Sequence, residues 1–227
     1  YSFLNLADET VAIDWPIPLS EAELSDKDRA HPRLADVVPI APKKILVIGA
    51  NGQVGRALRD SYAGASHIEF ADRSSLDLTT DIAGARRWRD YGAIINAGAY
   101  TAVDKAETDR AGAWAANATG VAQLARVAAA NGITLVHVSS DYVFDGSETS
   151  YDESAPLAPV GVYGQSKAAG DVAASTAPRH YIVRASWVIG GDNDFVRTMA
   201  SLAARGVNPT MVEDRIGRLS FASEIAR

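Results

Sequence analysis

The sequence predicts an α/β fold, a doubly wound parallel sheet with helices on both faces. First, short apolar runs alternate with helical patterns from Lys43 onward, as is typical of parallel strands joined by right-handed crossovers. Second, the run "KILVIGA" at 44–50 is continuously apolar, as in a strand buried on both faces. Third, a glycine-rich turn directly follows that run, which makes the predicted sheet Rossmann-type.

The remaining elements follow in order along the chain. Apolar runs of strand length predict strands, and longer amphipathic or Ala-rich stretches predict helices. The predicted strands are 44–50, 67–72, 93–99, 133–140 and 180–186. The predicted helices are 53–62, 103–131 and 163–176.

Residues 1–42 differ from the rest of the chain. They hold five of the nine prolines, and proline removes backbone donors and restricts the residue before it. One short helix is predicted at Ser20–Arg29, and the rest reads as extended chain without a core of its own. We therefore divide the chain into a tail or linker at 1–42 and a second domain at 43–227.

Composition and charge exclude several classes of protein. The net charge of −6 argues against a nucleic-acid partner, which would require a basic stripe. No apolar run reaches the length of a membrane span, and the N-terminus lacks the basic region of a signal peptide. The chain has no cysteine, which removes thiolate metal sites and fits the cytoplasm. It lacks an initiator Met and ends in the first turn of a helix, so we expect part of a longer protein.

The turn "GANGQVG" joins the first strand to the first helix. Its glycines are Gly49, Gly52 and Gly55. In such a turn one glycine permits a sharp bend, one lets the backbone approach a pyrophosphate, and one lets helix and strand pack closely. The helix N-terminus then faces the phosphates. A glycine-rich turn without a ligand is the alternative interpretation.

The second strand ends at Asp72, where a carboxylate can accept from the adenosine ribose 2′-OH and favour NADH. Arg73 follows it and Arg56 opens the first helix, and either could meet the 2′-phosphate of NADPH. The cofactor is therefore predicted to be NADPH or NADH, with the choice open. Asp72 as a solvated charge at the strand end is the alternative interpretation.

Tyr163 and Lys167 are four residues apart in a predicted helix, which places them on one face with Cβ atoms about 5–6 Å apart. Ser139 and Ser140 close the strand at 133–140. A lysine ammonium and the charge of the nicotinamide both favour the phenolate and would lower the tyrosine pKa. With a serine hydroxyl to polarise the carbonyl oxygen, these groups suit hydride transfer to a ketone, Tyr163 protonating the alkoxide. A surface Tyr–Lys pair is the alternative.

Several segments together resemble the dTDP-4-dehydrorhamnose reductases, a family of extended short-chain dehydrogenases/reductases. They are "GANGQVG", "NAGAYTAVDKAE", "SSDYVFDG", "VYGQSKAAGD" and "RASWVIGGDNDFVRTM". The resemblance runs from Lys43 to Arg227 and implies reduction of the C4 ketone of dTDP-4-dehydro-L-rhamnose to dTDP-L-rhamnose by NADPH or NADH. The second domain would then be an NAD(P)-binding reductase domain with a dTDP-sugar substrate.

The resemblance assigns residues to three roles. The catalytic residues are Ser140, Tyr163 and Lys167. The cofactor-binding residues, with those argued above, are Gly49, Gly52, Gln53, Val54, Gly55, Asp72, Arg73, Asp77, Leu78, Ala99, Tyr100 and Thr101. The substrate-binding residues are Asp141, Tyr142 and Trp187. Plain core packing is the alternative for Trp187, since large aromatic side chains are usually buried.

Three departures from the family qualify these expectations. Ser140 stands where the family often has Thr, which keeps the hydroxyl. Ala57 stands where some members have a Glu that helps to hold Mg²⁺ between subunits, so we predict no metal site. Family members also continue well beyond "EDRIGRLSFASEIA", so we expect an incomplete C-terminal substrate lobe, and the chain on its own need not turn over substrate.

The tail carries a second resemblance. "VAIDWPIPLSEAELSDKDRAHPRLADV" is similar to the C-terminus of dTDP-4-dehydrorhamnose 3,5-epimerase, the enzyme of the preceding step. It implies a fused or associated epimerase domain, and a homo-oligomer is compatible with it. The stretch lacks the epimerase's catalytic positions, so the histidines are expected to be surface residues without a catalytic role. They are His31, His67, His137 and His180.

Two other functions remain as alternatives. One is a non-catalytic, NADP-binding regulatory subunit of the same superfamily, against which the intact Ser–Tyr–Lys set argues. The other is a nucleotide-sugar epimerase or dehydratase. Dehydratases usually need a further acid–base pair after the serine strand, and here Asp141 is followed by Tyr142.

Overall fold

The computed structural model describes residues 3–37, 41–191, 194–210 and 217–227. The chain divides into two compact units, Tyr1–Pro42 and Lys43–Arg227. None of the described helices has the length and apolar character needed to cross a membrane.

Polar contacts hold the first unit together. Its helical segments are Glu9–Val11, Leu34–Asp36 and α1 (Asp26–Arg29). Asn5 Nδ2 donates to the Arg29 carbonyl oxygen at 2.9 Å, and the Asp8 carboxylate accepts the Leu34 N–H. No apolar side chain among residues 3–37 is buried, so these contacts rather than a core fix the fold of this unit.

The predicted helix at Ser20–Arg29 is wrong over its first half. Only Asp26–Arg29 is α-helical, because Ser25 is the N-cap. The Ser25 Oγ accepts the Asp28 N–H at 3.1 Å, and the Ser25 backbone is extended. A capping residue in this conformation marks the helix start, so the preceding residues cannot belong to the same helix.

The second unit contains a five-stranded, all-parallel sheet in the order β2-β1-β3-β4-β5. Its strands are β1 (Lys44–Ile48), β2 (Ile68–Ala71), β3 (Tyr91–Asn96), β4 (Thr134–Ser140) and β5 (His180–Ala185). Two 3-10 turns flank the strands, Trp88–Asp90 before β3 and Asp141–Val143 after β4. The predicted Rossmann-type sheet is confirmed. The strand order reverses direction at β1, and this switch point is where such sheets form a ligand crevice.

Helices cover both faces of this sheet, as predicted. The described helices of this unit are α2 (Gln53–Ser61), α3 (Val103–Ala106), α4 (Arg110–Trp114), α5 (Gly120–Asn131), α6 (Val162–Ser175), α7 (Phe195–Ala204) and α8 (Ala222–Ile225). Alternate residues of β1 face opposite sides, as the period of a strand requires. Leu46 and Ile48 pack with Val121 and Leu124 of α5, whereas Val47 packs with side chains of α2 and with residues of the chain's last helical turn.

The predicted single helix at 103–131 is wrong, because the segment contains three helices and a π turn. Asp109 interrupts it by capping α4, its carboxylate accepting a backbone N–H at 3.1 Å. The π turn Ala115–Thr119 lies between α4 and α5. Within it, the buried Asn117 side chain bonds the backbone of Tyr100. π turns of this kind are frequent near functional sites.

A two-stranded parallel sheet was not expected from the sequence. Its strands are β6 (Val188–Ile189) and β7 (Ser220–Phe221). Two-residue strands are too short for hydrophobic periodicity to indicate them. The Ser220 N–H donates to the Trp187 carbonyl oxygen at 3.1 Å, so this pairing fixes the backbone just beyond β5.

Candidate active site

Three glycines shape the turn between β1 and α2 in different ways. Gly49 has a φ of +83°, and a Cβ there would lie 2.6 Å from the Gly98 nitrogen. A Cβ on Gly55 would overlap the Gly49 carbonyl group. Gly52 is exposed, and a Cβ there would meet only the Gly49 oxygen, at 3.3 Å. Packing therefore requires the first and last glycines, while Gly52 leaves open space at the start of the helix.

The N-terminus of α2 fits a phosphate group. Gly52 is its N-cap residue, and no side chain caps the helix. The first N–H groups of a helix have no intrahelical partner and carry partial positive charge. An anion can therefore approach the backbone of Gln53 and Val54 across the exposed glycine, as the pyrophosphate of a dinucleotide does in such folds.

An acidic and a basic side chain stand side by side after β2. Asp72 accepts from Ser74 Oγ at 2.7 Å and from Asn51 Nδ2, in the glycine turn, at 3.2 Å. These hydrogen bonds, that from Ser74 first, lower the pKa of Asp72 to about 2, so it is a carboxylate at neutral pH. Arg73 is exposed and its Nε lies 3.1 Å from Asp77 Oδ2. Both lie directly after β2, the edge strand of the sheet.

The other predicted cofactor residues include Leu78 and the segment 99–101 after β3. Leu78 is buried. Ala99 and Thr101 are exposed. Tyr100 has its N–H and its carbonyl oxygen bonded by the Asn117 side chain at 2.8 and 3.0 Å. The segment therefore follows a fixed path beside the carboxyl end of β3.

Ser140 and Tyr163 border one cleft at the carboxyl end of β4. The cleft has a volume of ≈ 180 Å³. Ser140 is the last residue of β4 and Tyr163 lies in the first turn of α6. The three residues predicted to bind substrate also line the cleft, and they are Asp141, Tyr142 and Trp187. The structure therefore brings together side chains that lie far apart in the sequence.

Lys167 lies one turn along α6 from Tyr163 and is only 1% exposed. Its Nζ donates to the Val138 carbonyl oxygen at 2.7 Å, which anchors the amine against β4. Burial lowers the pKa of Lys167 to about 8, and the charge of Asp171 opposes this shift. The side chain therefore still carries its positive charge at neutral pH.

Burial raises the pKa of the Tyr163 phenol above its ordinary value of 10.0. The Ser140 hydroxyl opposes this shift as a hydrogen-bond partner, and the charge of Asp141 adds to it. The Lys167 ammonium on its own does not lower this pKa, because desolvation is the largest effect on the phenol. At neutral pH Tyr163 is therefore a protonated phenol, the form that a proton donor needs. The lowering predicted for the ammonium together with the nicotinamide charge stays a prediction.

Backbone packing and one cap set the position of Tyr163. A Cβ on Gly164 would overlap the Tyr142 carbonyl group, so α6 rests directly on the 3-10 turn after β4. Glu107 Oε1 accepts the Val162 N–H at 2.8 Å and so satisfies one free donor at the start of the helix. The Tyr163 ring meets the Tyr142 ring edge-on, with centroids 5.6 Å apart.

His137 is fully buried, so its expected surface position is wrong. Its Nδ1 lies 3.1 Å from Asn96 Nδ2, and its Nε2 lies 3.9 Å from Asp171 Oδ1. Burial, and then the charge of Lys167, hold its pKa well below 6.5, so the ring is neutral. Within the described residues, no group of three or more His, Asp or Glu side chains could hold a metal ion. His31 is half-buried, and His67 and His180 are exposed.

Comparison with known proteins decides the family. Residues 43–227 match the family described as the RmlD substrate binding domain. The chain belongs to this family. A dTDP-4-dehydrorhamnose reductase of Mycolicibacterium smegmatis is 40% identical over 192 residues, covering 82% of this chain and 59% of the relative. The chain thus spans less than two thirds of the length of that relative.

Two solved structures are similar to this member of the family. A dTDP-4-dehydrorhamnose reductase of Clostridium acetobutylicum has a TM-score of 0.74 and 33% identity, covering 81% of this chain and 67% of the other. The reductase of Bacillus anthracis, in complex with NADP, has a TM-score of 0.74 and 32% identity, covering 82% of this chain and 68% of the other. The similarity to each of these structures therefore covers about four fifths of this chain.

Sequence reasoning missed Asn117, which links the loop after β3 to α6. Besides the Tyr100 backbone, its Nδ2 bonds Ser166 Oγ at 3.0 Å. The Ser166 hydroxyl in turn donates to the Tyr163 carbonyl oxygen at 2.7 Å. The available signal was an amide side chain in an Ala-rich stretch, at a position where helical periodicity predicts burial.

Proposed function

We propose that the chain carries the catalytic centre of an NAD(P)H-dependent dTDP-4-dehydrorhamnose reductase. The observation that carries the proposal is the cleft bordered by Ser140 and Tyr163, with Lys167 one turn along the same helix. The family and its named reductases support it. Because the chain spans only part of those relatives, the proposal concerns the full-length protein. We expect that protein in the cytoplasm, with which the absence of cysteine in this chain is compatible.

The cofactor, when bound, supplies the hydride. The uncapped start of α2 would hold its pyrophosphate through Gly52, Gln53 and Val54. Asp72 or Arg73 would meet the adenosine ribose, and the segment 99–101 would run along the nicotinamide side. This order would direct the reacting end of the cofactor toward β4, where the cleft opens.

Tyr163 acts as the proton donor in the reduction of the C4 ketone. Because its pKa is raised, the phenol is protonated at neutral pH and can give its proton to the oxygen as negative charge develops. When substrate binds, the Ser140 hydroxyl would turn from Asp141 Oδ1, to which it donates at 3.1 Å, and donate its one hydrogen bond to the same oxygen. Hydride adds to the C4 carbon, the proton adds to its oxygen, and an alcohol results. The Lys167 ammonium then stabilises the phenolate until solvent reprotonates it.

The walls of the cleft suit a sugar nucleotide. Tyr142 and Trp187 supply aromatic surfaces, and the Trp187 ring is supported by Phe195 with centroids 5.5 Å apart. Asp141 accepts from the Ser140 hydroxyl at 3.1 Å and has further lone pairs for sugar hydroxyl groups. We therefore assign Asp141, Tyr142 and Trp187 to the sugar of the dTDP-linked substrate.

The proposed function is tested with the full-length protein, dTDP-4-dehydro-L-rhamnose and NADPH, following the absorbance of the reduced nicotinamide. We expect substrate-dependent oxidation that follows the protein concentration. Cofactor binding without any oxidation would favour a regulatory subunit. Conversion of the sugar without net oxidation would favour an epimerase or dehydratase, and either result would remove the reductase proposal.

For cofactor choice, we expect Arg73→Ala to weaken NADPH about tenfold and to leave NADH unchanged. The Arg73 side chain follows β2 and is 79% exposed. Of the two cofactors, only NADPH has a 2′-phosphate, which would give Arg73 a second anionic partner besides Asp77. The charge-assisted hydrogen bond to it would contribute about 1.5–3 kcal/mol. The measurement is KM for each cofactor, with the exposed Arg89→Ala as the matched control. An equal effect on both cofactors would rule out a 2′-phosphate contact.

We also propose that residues 1–42 belong to a fused 3,5-epimerase domain and that the reductase domain is 43–227. The sequence resemblance of the tail and the separate compactness of Tyr1–Pro42 support this division. The intact mass of the native protein tests the fusion, since a mass that leaves no room for an upstream domain would contradict it. Light scattering of the same sample tests a homo-oligomer.

A further inference from the structure

A cluster of buried polar side chains lies beneath the proposed active site. It comprises His137 of β4, Lys167 and Asp171 of α6, and Arg184 of β5. His137, Lys167 and Asp171 are 0%, 1% and 2% exposed. Burying ionised groups costs several kcal/mol each unless they are paired. The mechanism above uses only the lysine, so the other three groups need a physical explanation.

The spacing on α6 places three polar side chains in a row along the helix. Tyr163, Lys167 and Asp171 follow each other at intervals of four residues, so they share one face of the helix and neighbouring side chains are within reach. The lysine therefore lies between the phenol that reacts and the carboxylate that does not. Asp171 is the charge that opposes the effect of burial on Lys167.

Arg184 keeps Asp171 in place from the sheet side. Arg184 Nε donates to Asp171 Oδ2 at 3.0 Å. The guanidinium also lies over the Phe144 ring at 5.3 Å, and Phe144 stacks on Tyr151 at 4.3 Å. The position of Arg184, and with it the Asp171 carboxylate, is therefore set by aromatic packing in the loop after β4.

The tautomer of His137 also favours a carboxylate at Asp171. Asn96 Oδ1 accepts the Gly98 N–H at 3.2 Å, so its amide nitrogen faces His137 Nδ1 at 3.1 Å. That ring nitrogen must accept, which places the proton of the neutral ring on Nε2. Nε2 lies 3.9 Å from Asp171 Oδ1, too far for a direct hydrogen bond, so the N–H contributes as a dipole directed at the carboxylate.

We propose that Asp171 is a positioning residue that keeps the buried Lys167 protonated beside the residues of the cleft. The importance of Asp171 for catalysis rests on the proposed reductase function, whereas its effect on the protonation of Lys167 does not. The groups that face the lysine are Asp171 on its own helix, the neutral His137 and the Val138 carbonyl on β4, and Arg184 on β5. Asp171 is the anion among these groups. Its charge stabilises the Lys167 ammonium, which in turn stabilises the tyrosinate after proton transfer.

The test is a pH titration of the Lys167 side chain by NMR, with ¹³C at the lysine ε-carbon. The chain has only five lysines, and Lys167→Arg identifies the signal. We expect Asp171→Asn to lower the titration midpoint by at least about one pH unit, and Asp171→Glu, which keeps the charge, to restore most of it. Asp60→Asn removes an equivalent charge from an exposed position of α2 and is expected to leave the midpoint unchanged.

Arg184→Gln provides a second variant, in which we expect the Lys167 titration midpoint to shift in the opposite direction. The Arg184 side chain is 21% exposed, so its loss disturbs the core less than the loss of Asp171. With one cation fewer near Asp171, the Lys167 midpoint is expected to rise. An unchanged midpoint in Asp171→Asn, or a midpoint that stays or falls in Arg184→Gln, would overturn the proposal.

Activity adds a readout in the full-length protein. In the pH profile of kcat, the decline on the alkaline side is expected to move to lower pH in Asp171→Asn. The shift should equal that of the NMR titration midpoint of Lys167. If the wild-type protein reduces no ketone, the proposed function fails while the NMR result still decides the role of Asp171. If the decline of kcat stays while the midpoint moves, the role in positioning the lysine for catalysis is overturned.

Discussion

Tyr163→Phe is expected to lower the rate of ketone reduction by the full-length protein by about 10²–10⁴-fold, the usual contribution of a positioned proton donor. Phenylalanine keeps the ring that packs edge-on against Tyr142 and removes only the hydroxyl. NADPH affinity, measured by fluorescence titration, is therefore expected to stay close to that of the wild type. The loss should appear in kcat, because the proton is given only in the transition state.

Tyr181→Phe is the matched control for this variant. Tyr181 lies on β5 and is 66% exposed, so removal of its hydroxyl is expected to leave the rate unchanged. Undiminished NADPH oxidation by Tyr163→Phe would remove the assignment of this tyrosine and, with it, the proposed mechanism.

Gly55→Ala is expected to abolish measurable cofactor binding and to lower the melting temperature by about 2–12 °C. The added methyl group would overlap the Gly49 carbonyl, and overpacking of this kind costs about 1–3 kcal/mol. To relieve the overlap, the start of α2 must move away from β1, which displaces the N–H groups offered to the pyrophosphate. Calorimetry and NADPH titration measure the two effects.

Gly84→Ala is the control for the same substitution. Gly84 lies outside the helices and strands, and a Cβ there would have no atom within 4 Å and no unfavourable φ. We expect wild-type stability and affinity. A Gly55→Ala protein that also melts and binds like the wild type would contradict the packing role of this glycine.

The sheet could be predicted from the sequence because its signal is local. The apolar run Leu46–Ile48 is buried along its whole length, and such a run indicates a central strand without any knowledge of its neighbours. The course of 103–131 could not be predicted in this way. The Asn117 side chain lies in a π turn rather than in a regular helix and bonds the backbone of Tyr100, 17 residues earlier. No local sequence pattern indicates that partner.

The candidate site could be predicted by residue type but not by its electrostatics. The spacing of Tyr163 and Lys167 indicated a pair on one helix face, yet the direction of the tyrosine pKa depends on how deeply the phenol is buried. For His137, closer attention to strand periodicity would have predicted a buried side chain. It alternates with Leu135 on β4, and both side chains are fully buried, so strand alternation alone indicated an interior histidine.

The most direct measurement of the central claim follows the hydride itself. The full-length protein is given dTDP-4-dehydro-L-rhamnose and NADPH that carries deuterium at the transferable position of the nicotinamide, and the product sugar is analysed by NMR. Reduction by the cleft of Ser140, Tyr163 and Lys167 predicts dTDP-L-rhamnose with deuterium on C4. Deuterium that remains on the nicotinamide, or that appears on another carbon of the sugar, would contradict the assignment.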